Sequence, residues 1–436
     1  MLNQRHLDTN QTKVHIENLP LPNDNIPLAH IYTRGIPARN LDSLILTPSN
    51  PPLTTRLEPL KRLLLRARNL RALHYWDSGQ GTRFSGFAPG ERLPAFEELT
   101  LQSYDWDHDA AFTAAHWDFS RLRELKLIDV PDHPFLTAVP PHALRELQVL
   151  WFHSIPYLSS SPFQSREDRE SHDKEVTDLL ANLTLGIRAL RELEITCHVR
   201  LFSARCVVDQ DETMGACRGV LLRHAPTLRV LRLRDHVGFD DSLRHCPTLR
   251  AVDLGVLACH LTNLRELELD LDLLDCDRPE SFMKELCEFP RLEALTLHMR
   301  TTMMYPADFL SMELQSESDA EHGDSNTLTR PRPARRFDGD HEAVRQWFET
   351  LVQGKEARRQ RGDKTVPWRR IKFVVGGWRN VMVRRTDLVW RELNKRGVYA
   401  EHCFLFERDP NVRDGPYVGL TGHEEYREIK ATIVEG

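Results

Sequence analysis

One hydrophobic pattern recurs along this chain. An apolar residue is followed three positions later by a second and two positions after that by a third, L-x-x-L-x-L. Starts fall at Leu41, Leu70, Phe96, Leu122, Leu144, Leu190, Leu228, Leu249, Leu264 and Leu292. The clearest copies read LRELKL from Leu122, LRELQV from Leu144, LRELEI from Leu190, LRVLRL from Leu228 and LRELEL from Leu264. FEELTL from Phe96 and LEALTL from Leu292 belong with them, and Trp368, Ile371 and Phe373 form a weaker late copy. The last two apolar positions of each copy stand two apart, so they share one face of a strand. A single such strand cannot bury its leucines alone, and stacked copies must pool them into one continuous core. Spacings such as 29, 26 and 26 between starts fit the roughly 20–29 residues of a strand with its return segment.

Proline supplies a second signal. Pro94, Pro226, Pro247 and Pro290 each stand two residues before the first apolar residue of a copy. Proline stops a helix and pushes its predecessor into extended geometry. The stretches GACRGVLLRHA, DDSLRHC and ESFMKELCEF, ahead of three of these prolines, are predicted as return helices. Strand and helix alternate throughout, which predicts an α/β solenoid of irregular repeats: a curved parallel sheet on the concave side, return helices outside. The 15-residue gap after Leu249 is too short for a strand and a helix. It predicts a tight loop, a deletion or an error in the gene model.

The pattern divides the chain into an N-terminal flank or cap over residues 1–40, a repeat array over 41–312, a linker over 313–340 and a C-terminal repeat or cap over 341–436. Within the array, residues 157–175 read as a polar loop inserted before the return helix DLLANLTLGIRAL. The linker has few apolar residues, runs from acidic to basic, and is expected to be disordered. Beyond it the pattern predicts a helix (HEAVRQWFETLVQG), a basic loop, a strand (RRIKFVVGG), a helix (RRTDLVWRELNKRG) and a tail.

Composition narrows the class. The chain has 436 residues, 40% of them hydrophobic, and 58 Lys and Arg against 64 Asp and Glu give a formal charge of −6. Collagen, a coiled coil and a wholly disordered chain are excluded. No stretch approaches the roughly 18 apolar residues of a membrane helix, and the first twenty residues contain no apolar core of a secretory signal. Near-balanced charge argues against a dedicated nucleic-acid binder. The 8 cysteines include no C-x-x-C pair, which points to a reducing compartment, the cytoplasm or nucleus.

With these copies on the page, the chain resembles the leucine-rich-repeat proteins, and within them the irregular repeats of fungal-type F-box/LRR proteins, over about Leu41 to Phe373. The resemblance implies a non-catalytic scaffold, the substrate-recognition part of a ubiquitin-ligase subunit. It also implies a Skp-type adaptor and cullin as partners where an F-box is present or supplied. A free-standing adaptor or inhibitor unrelated to ubiquitin is the alternative. No recognisable F-box is expected here: Leu19-Pro20 is the only echo of one, and Pro20, Pro22, Pro27 and Pro37 break up the segment where its helices would lie. The Asn or Cys of the regular family pattern is replaced by Val130, Phe152, His198, His236 or Asp272, so no asparagine ladder is expected.

The concave face carries the candidate site. The third and fifth positions of each copy, and the residue after its last apolar one, alternate with the buried positions and point outward. They hold Glu98, Glu124, Glu146, Glu192, Glu194, Glu266, Glu268 and Asp270, interrupted by Lys126, Arg232 and Arg234; Asp253 would join them from the Leu249 copy. Strands stack about 4.8 Å apart, so carboxylates in register would form an acidic stripe. The second position adds a basic rail of Arg71, Arg123, Arg145, Arg191, Arg229, Arg250 and Arg265. Such a stripe would attract a basic segment of a protein partner. The bland reading is a self-neutralising ladder, each Arg offsetting a neighbouring Glu. It suits single residues better, whereas the extended face as a whole suits binding.

Other chemistry is thin. The basic runs RPRPARR and KEARRQRGDK suit a nuclear-import signal or phosphate contact, but fit a solvated helix end and linker better. Gly79-Gln80-Gly81 and Gly376-Gly377 lack the rest of a nucleotide fingerprint, and no G-x-S-x-G, Walker A or H-E-x-x-H motif occurs. No catalytic residue, cofactor or metal site is expected.

Overall fold

The computed structural model describes residues 13–17, 33–46, 57–76, 82–153, 166–196, 213–234, 249–271, 279–299, 333–375, 402–408 and 417–421. They form an α/β architecture in which a mostly parallel open sheet alternates with helices, an arrangement compatible with a solenoid. The chain divides into two compact units, Met1–Glu192 and Leu193–Gly436. Within each, the strands lie side by side in chain order.

The first unit contains strands β1 (Val14–Ile16), β2 (Leu41–Ile45), β3 (Ala72–Trp76), β4 (Glu98–Gln102), β5 (Glu124–Ile128) and β6 (Val149–His153). Its helices are α1 (Leu57–Arg66), α2 (Ala110–His116), α3 (Asp132–Ala138) and α4 (Arg166–Gly186). Strands β1 to β6 pair in parallel. Register stacks the repeat's apolar positions into two rows: Leu73, Leu99, Leu125 and Leu150, then Tyr75, Leu101, Leu127 and Phe152, none more than 2% exposed.

The second unit holds most of β7 (Glu192–Thr196), then β8 (Val230–Arg234), β9 (Glu266–Leu271), β10 (Ala294–Met299), β11 (Arg370–Val375), β12 (His402–Arg408) and β13 (Tyr417–Thr421). Its helices are α5 (Thr213–His224), α6 (Ala251–His260), α7 (Pro279–Cys287) and α8 (Pro333–Gln360). Strands β8 to β11 are parallel, and β12 and β13 close the order antiparallel. The rows here are Leu231, Leu267, Leu295 and Ile371, then Leu233, Leu269, Leu297 and Phe373, all buried.

A backbone motif substitutes for an asparagine ladder. The carbonyl ahead of several strands accepts two N–H groups from the turn leading into the next. Arg71 O accepts from Glu97 and Glu98 at 2.7 and 3.0 Å, Glu97 O from Arg123 and Glu124 at 2.8 and 3.0 Å, and Arg123 O from Gln148 and Val149 at 2.8 and 3.0 Å. In the second unit Arg229 O, Arg265 O and Glu293 O do the same. The orphan groups that parallel strands leave at a turn are thereby satisfied by the next repeat itself.

Two copies were framed wrongly by the leucine pattern. At Leu144 the strand starts late. Pro140-Pro141 opens a short 3-10 turn, Pro141–Leu144, and the strand begins only at Val149. The working copy is therefore Leu147, Leu150 and Phe152, and Gln148 O accepts from Arg191 and Glu192 as the other carbonyls of this kind do. At Leu249 there is no strand. Ala251–His260 is a helix burying Leu254, Leu257 and Ala258, while Val252 is 63% exposed. Apolar spacing of three and four won over a chance L-x-x-L-x-L match. One unit thus runs from Leu228 to Leu264, and the short gap disappears. Asp253 leaves the strand face with it and pairs with Arg250 on its own helix at 2.7 Å.

Other boundaries also move. Helix α4 begins at Arg166, inside the expected polar loop, and α8 begins at Pro333, inside the expected linker. The expected tail contains β12 and β13. Residues 1–12, 157–165 and 313–332, the predicted helices DDSLRHC and RRTDLVWRELNKRG, and Pro247 lie outside the described residues.

Candidate functional site

The strand residues that alternate with the leucine rows form columns across each unit. In the first unit, register aligns Ser43, Ala72, Glu98, Glu124 and Val149; then Ile45, His74, Thr100, Lys126 and Trp151; then Trp76, Gln102, Ile128 and His153. All but exposed Glu98 are half-buried. Lys126 Nζ sits 2.7 Å from Glu124 Oε1 and 3.9 Å from the centre of the Trp151 ring. Trp151 Nε1 donates to Glu192 Oε1 at 2.7 Å, and its ring lies parallel to that of His153. Burial first, then the charge of Lys126, holds the His74 imidazole below its ordinary pKa. Its Nε2 is shielded from solvent and has no hydrogen-bond partner among the described residues. The Glu98 carboxylate makes no ion pair or hydrogen bond among the described residues.

The second unit's columns are Val230, Glu266, Ala294 and Arg370; Arg232, Glu268, Thr296 and Lys372; and Asp270, His298 and Val374. Here the carboxylates are brought together around cations. Arg232 lies 2.8 Å from Glu194, 3.4 Å from Glu266 and 3.7 Å from Glu268. Arg234 holds Asp270 at 3.2 Å, His298 Nε2 meets Glu268 Oε1 at 2.6 Å, and Arg369 and Arg370 approach Glu266 at 3.6 and 3.9 Å. Burial alone would raise the Glu268 carboxyl, but the His298 contact and the nearby arginines outweigh it and hold it below the usual range.

The expected acidic stripe therefore separates into two kinds of surface. Glu98, Glu124 and Glu192 lie on or beside an aromatic face; Glu194, Arg232, Arg234, Glu266, Glu268 and Asp270 form an ionic lattice. Glu146 belongs to neither, because the delayed strand leaves it in the preceding turn, paired with Arg188 at 2.7 Å. Sequence reasoning missed Trp76, Trp151, His74, His153 and His298. Trp151 and His153 were hidden by the three-residue error of frame at Leu144. Trp76 and His74 were within reach had the Leu70 copy been given the same positional reading.

Two buried clusters lie away from these faces. Tyr104 Oη meets His108 Nε2 at 2.9 Å and accepts from Phe84 N at 2.8 Å, amid Tyr75, Trp106 and Trp117. Burial pushes the tyrosine well up and the histidine down to about 4. Both are neutral near pH 7 and neither is poised there for proton transfer. Lys355, pushed down by burial to about 7, is 2% exposed, with Nζ bonded to the carbonyls of Leu292 and Val366. Among the described residues no group of three or more His, Cys, Asp or Glu is placed to hold a metal, and no helix is long and apolar enough to cross a membrane. Compared with models of protein families and with curated protein sequences, the chain matches none.

Proposed function

We propose that this chain is a non-catalytic protein-docking platform: a leucine-rich-repeat solenoid of the irregular kind, resembling the substrate-recognition part of an F-box/LRR ubiquitin-ligase subunit. The observation that carries the reading is the in-register alignment of outward side chains from successive repeats. Parallel strands about 4.8 Å apart convert positions some 26 residues apart in the chain, such as Glu98 and Glu124, into one extended surface. A surface of this type binds by spreading contacts over several strands, with aromatic residues supplying most of the energy.

A second reading, a free-standing adaptor or inhibitor with no link to ubiquitin, is favoured by one detail. Val14–Ile16 is a strand paired to β2, in a flank where an F-box would place helices. Affinity co-purification of the full chain from its native cell separates the two. A Skp-type adaptor and cullin in the eluate support the ligase reading; a stable partner without them supports the adaptor reading. Recovery of no protein partner at all would overturn both.

A further inference from the structure

The geometry points to the strand face of the first unit as the docking surface, and to an extended protein segment that carries an arginine about four residues from an apolar side chain as its occupant. This inference rests on the docking reading above and adds the place and the chemistry.

The two faces differ in what they leave unsatisfied. On the second unit, Glu194, Glu266, Glu268 and Asp270 all have cationic partners within the chain, so an incoming charge must break an existing pair before making a new one. On the first unit the polar groups wait. The Glu98 carboxylate makes no ion pair or hydrogen bond among the described residues, feeling only the field of Arg71, which is itself paired with Glu97, and His74 Nε2 is buried without a hydrogen-bond partner among them. The Trp76 ring, half-buried, makes no ring or cation contact among the described residues.

The sign of the partner's charge follows from the same inventory. An incoming acid would look for Lys126, but that ammonium is held by Glu124 and lies over Trp151. An incoming cation finds Glu98 open. Arginine suits this face better than lysine, because a planar guanidinium binds a carboxylate through two parallel N–H bonds and is less strongly hydrated.

The register sets the spacing. Ala72 pairs with Glu98 and Trp76 with Gln102, so Glu98 and Trp76 are displaced by four residues along the strands, about 13 Å. Extended chain covers that distance in about four residues. The segment lies along β3 and β4, its arginine at Glu98 and its apolar side chain on Trp76 beside Gln102.

Fluorescence anisotropy on the full chain tests this with short labelled synthetic peptides of the form Arg-x-x-x-Trp, with Asp-x-x-x-Trp and a scrambled peptide beside them. The Arg peptide binds, at least tenfold more weakly after Glu98→Lys or Trp76→Ala, and Glu98→Lys reverses the preference toward the Asp peptide. Lys372→Glu, on the second unit, leaves binding unchanged, and circular dichroism confirms that each variant is folded. A native preference for the Asp peptide, or a ranking that Glu98→Lys does not move, overturns the partner chemistry. Binding sensitive to Lys372→Glu and indifferent to Glu98→Lys overturns the location but not the docking reading. If no peptide binds although the chain still co-purifies a protein partner, this inference falls alone; if neither occurs, both fall.

Discussion

Two buried lysines do the same job in different units. Lys61, 3% exposed, donates from Nζ to the carbonyls of Ser85 and Gly86, each at 2.8 Å, and lies near the Phe87 ring. Lys355 donates to the carbonyls of Leu292 and Val366 and lies 4.0 Å from the centre of the Trp368 ring. Each ties a helix to loop carbonyls that strands cannot satisfy. Lys61 keeps Glu58 at 2.7 Å, whereas no carboxylate pairs with Lys355 among the described residues, and burial pushes its amine down to about 7. In the unfolded chain a lysine titrates near 10.4. Between pH ~7 and ~10 the unfolded state therefore binds more protons, and folding stability rises with pH through that window. Burial raises the neighbouring Cys287 thiol to about 11, so its contribution acts the other way, above the ordinary thiol pKa. Thermal denaturation should show the midpoint rising from pH 7 to 8.5, and Lys355→Met should flatten that rise. An unchanged slope in the variant would assign the dependence to other groups.

At the scale of the element, the segment after Leu249 shows how a six-residue motif misleads. Read as a strand, it would bury Val252 and Leu254; as the helix α6 it buries Leu254, Leu257 and Ala258 and leaves Val252 in solvent. The two structures make opposite demands. Leu257→Ala should cost about 2–5 kcal/mol, as a core leucine does, while Val252→Ala should stay within about 0.5 kcal/mol, both measured by chemical denaturation. A costly Val252→Ala would restore the strand. The sixth strand makes the complementary case. Leu150→Ala, at a fully buried position, should be severely destabilising, whereas Glu146→Ala, in the exposed turn, should be nearly neutral in the same measurement.

Over the whole molecule, the two units use the same repeat to make different surfaces. Reversing carboxylates to lysine is the natural test of an acidic docking stripe, but its consequences divide by unit. Glu194, Glu266 and Glu268 surround Arg232, and a charge-assisted hydrogen bond of this kind contributes about 1.5–3 kcal/mol. The triple reversal to lysine should lower the melting temperature of the protein clearly, whereas Glu98→Lys should leave it nearly unchanged; circular dichroism melting curves check both. Equal melting for the two variants would mean that the ionic lattice contributes nothing to the fold. The sequence by itself determined most of the alternation of strand and helix and the two buried rows, because a trio of apolar residues at three and two spacings, repeated along the chain, favours a strand and three phased prolines, Pro94, Pro226 and Pro290, stand ahead of strands. It also placed Glu98, Glu124, Glu192 and the Arg232 group on the outward side of their strands, since alternation is a property of one strand. Only the tertiary structure decided the frame of the sixth strand, the helix after Leu249, and which carboxylates are neutralised. Those outcomes depend on neighbours brought together from distant parts of the chain, such as Arg232 with Glu194 and Glu266, and a motif a few residues long carries no information about what the adjacent repeat will set beside it.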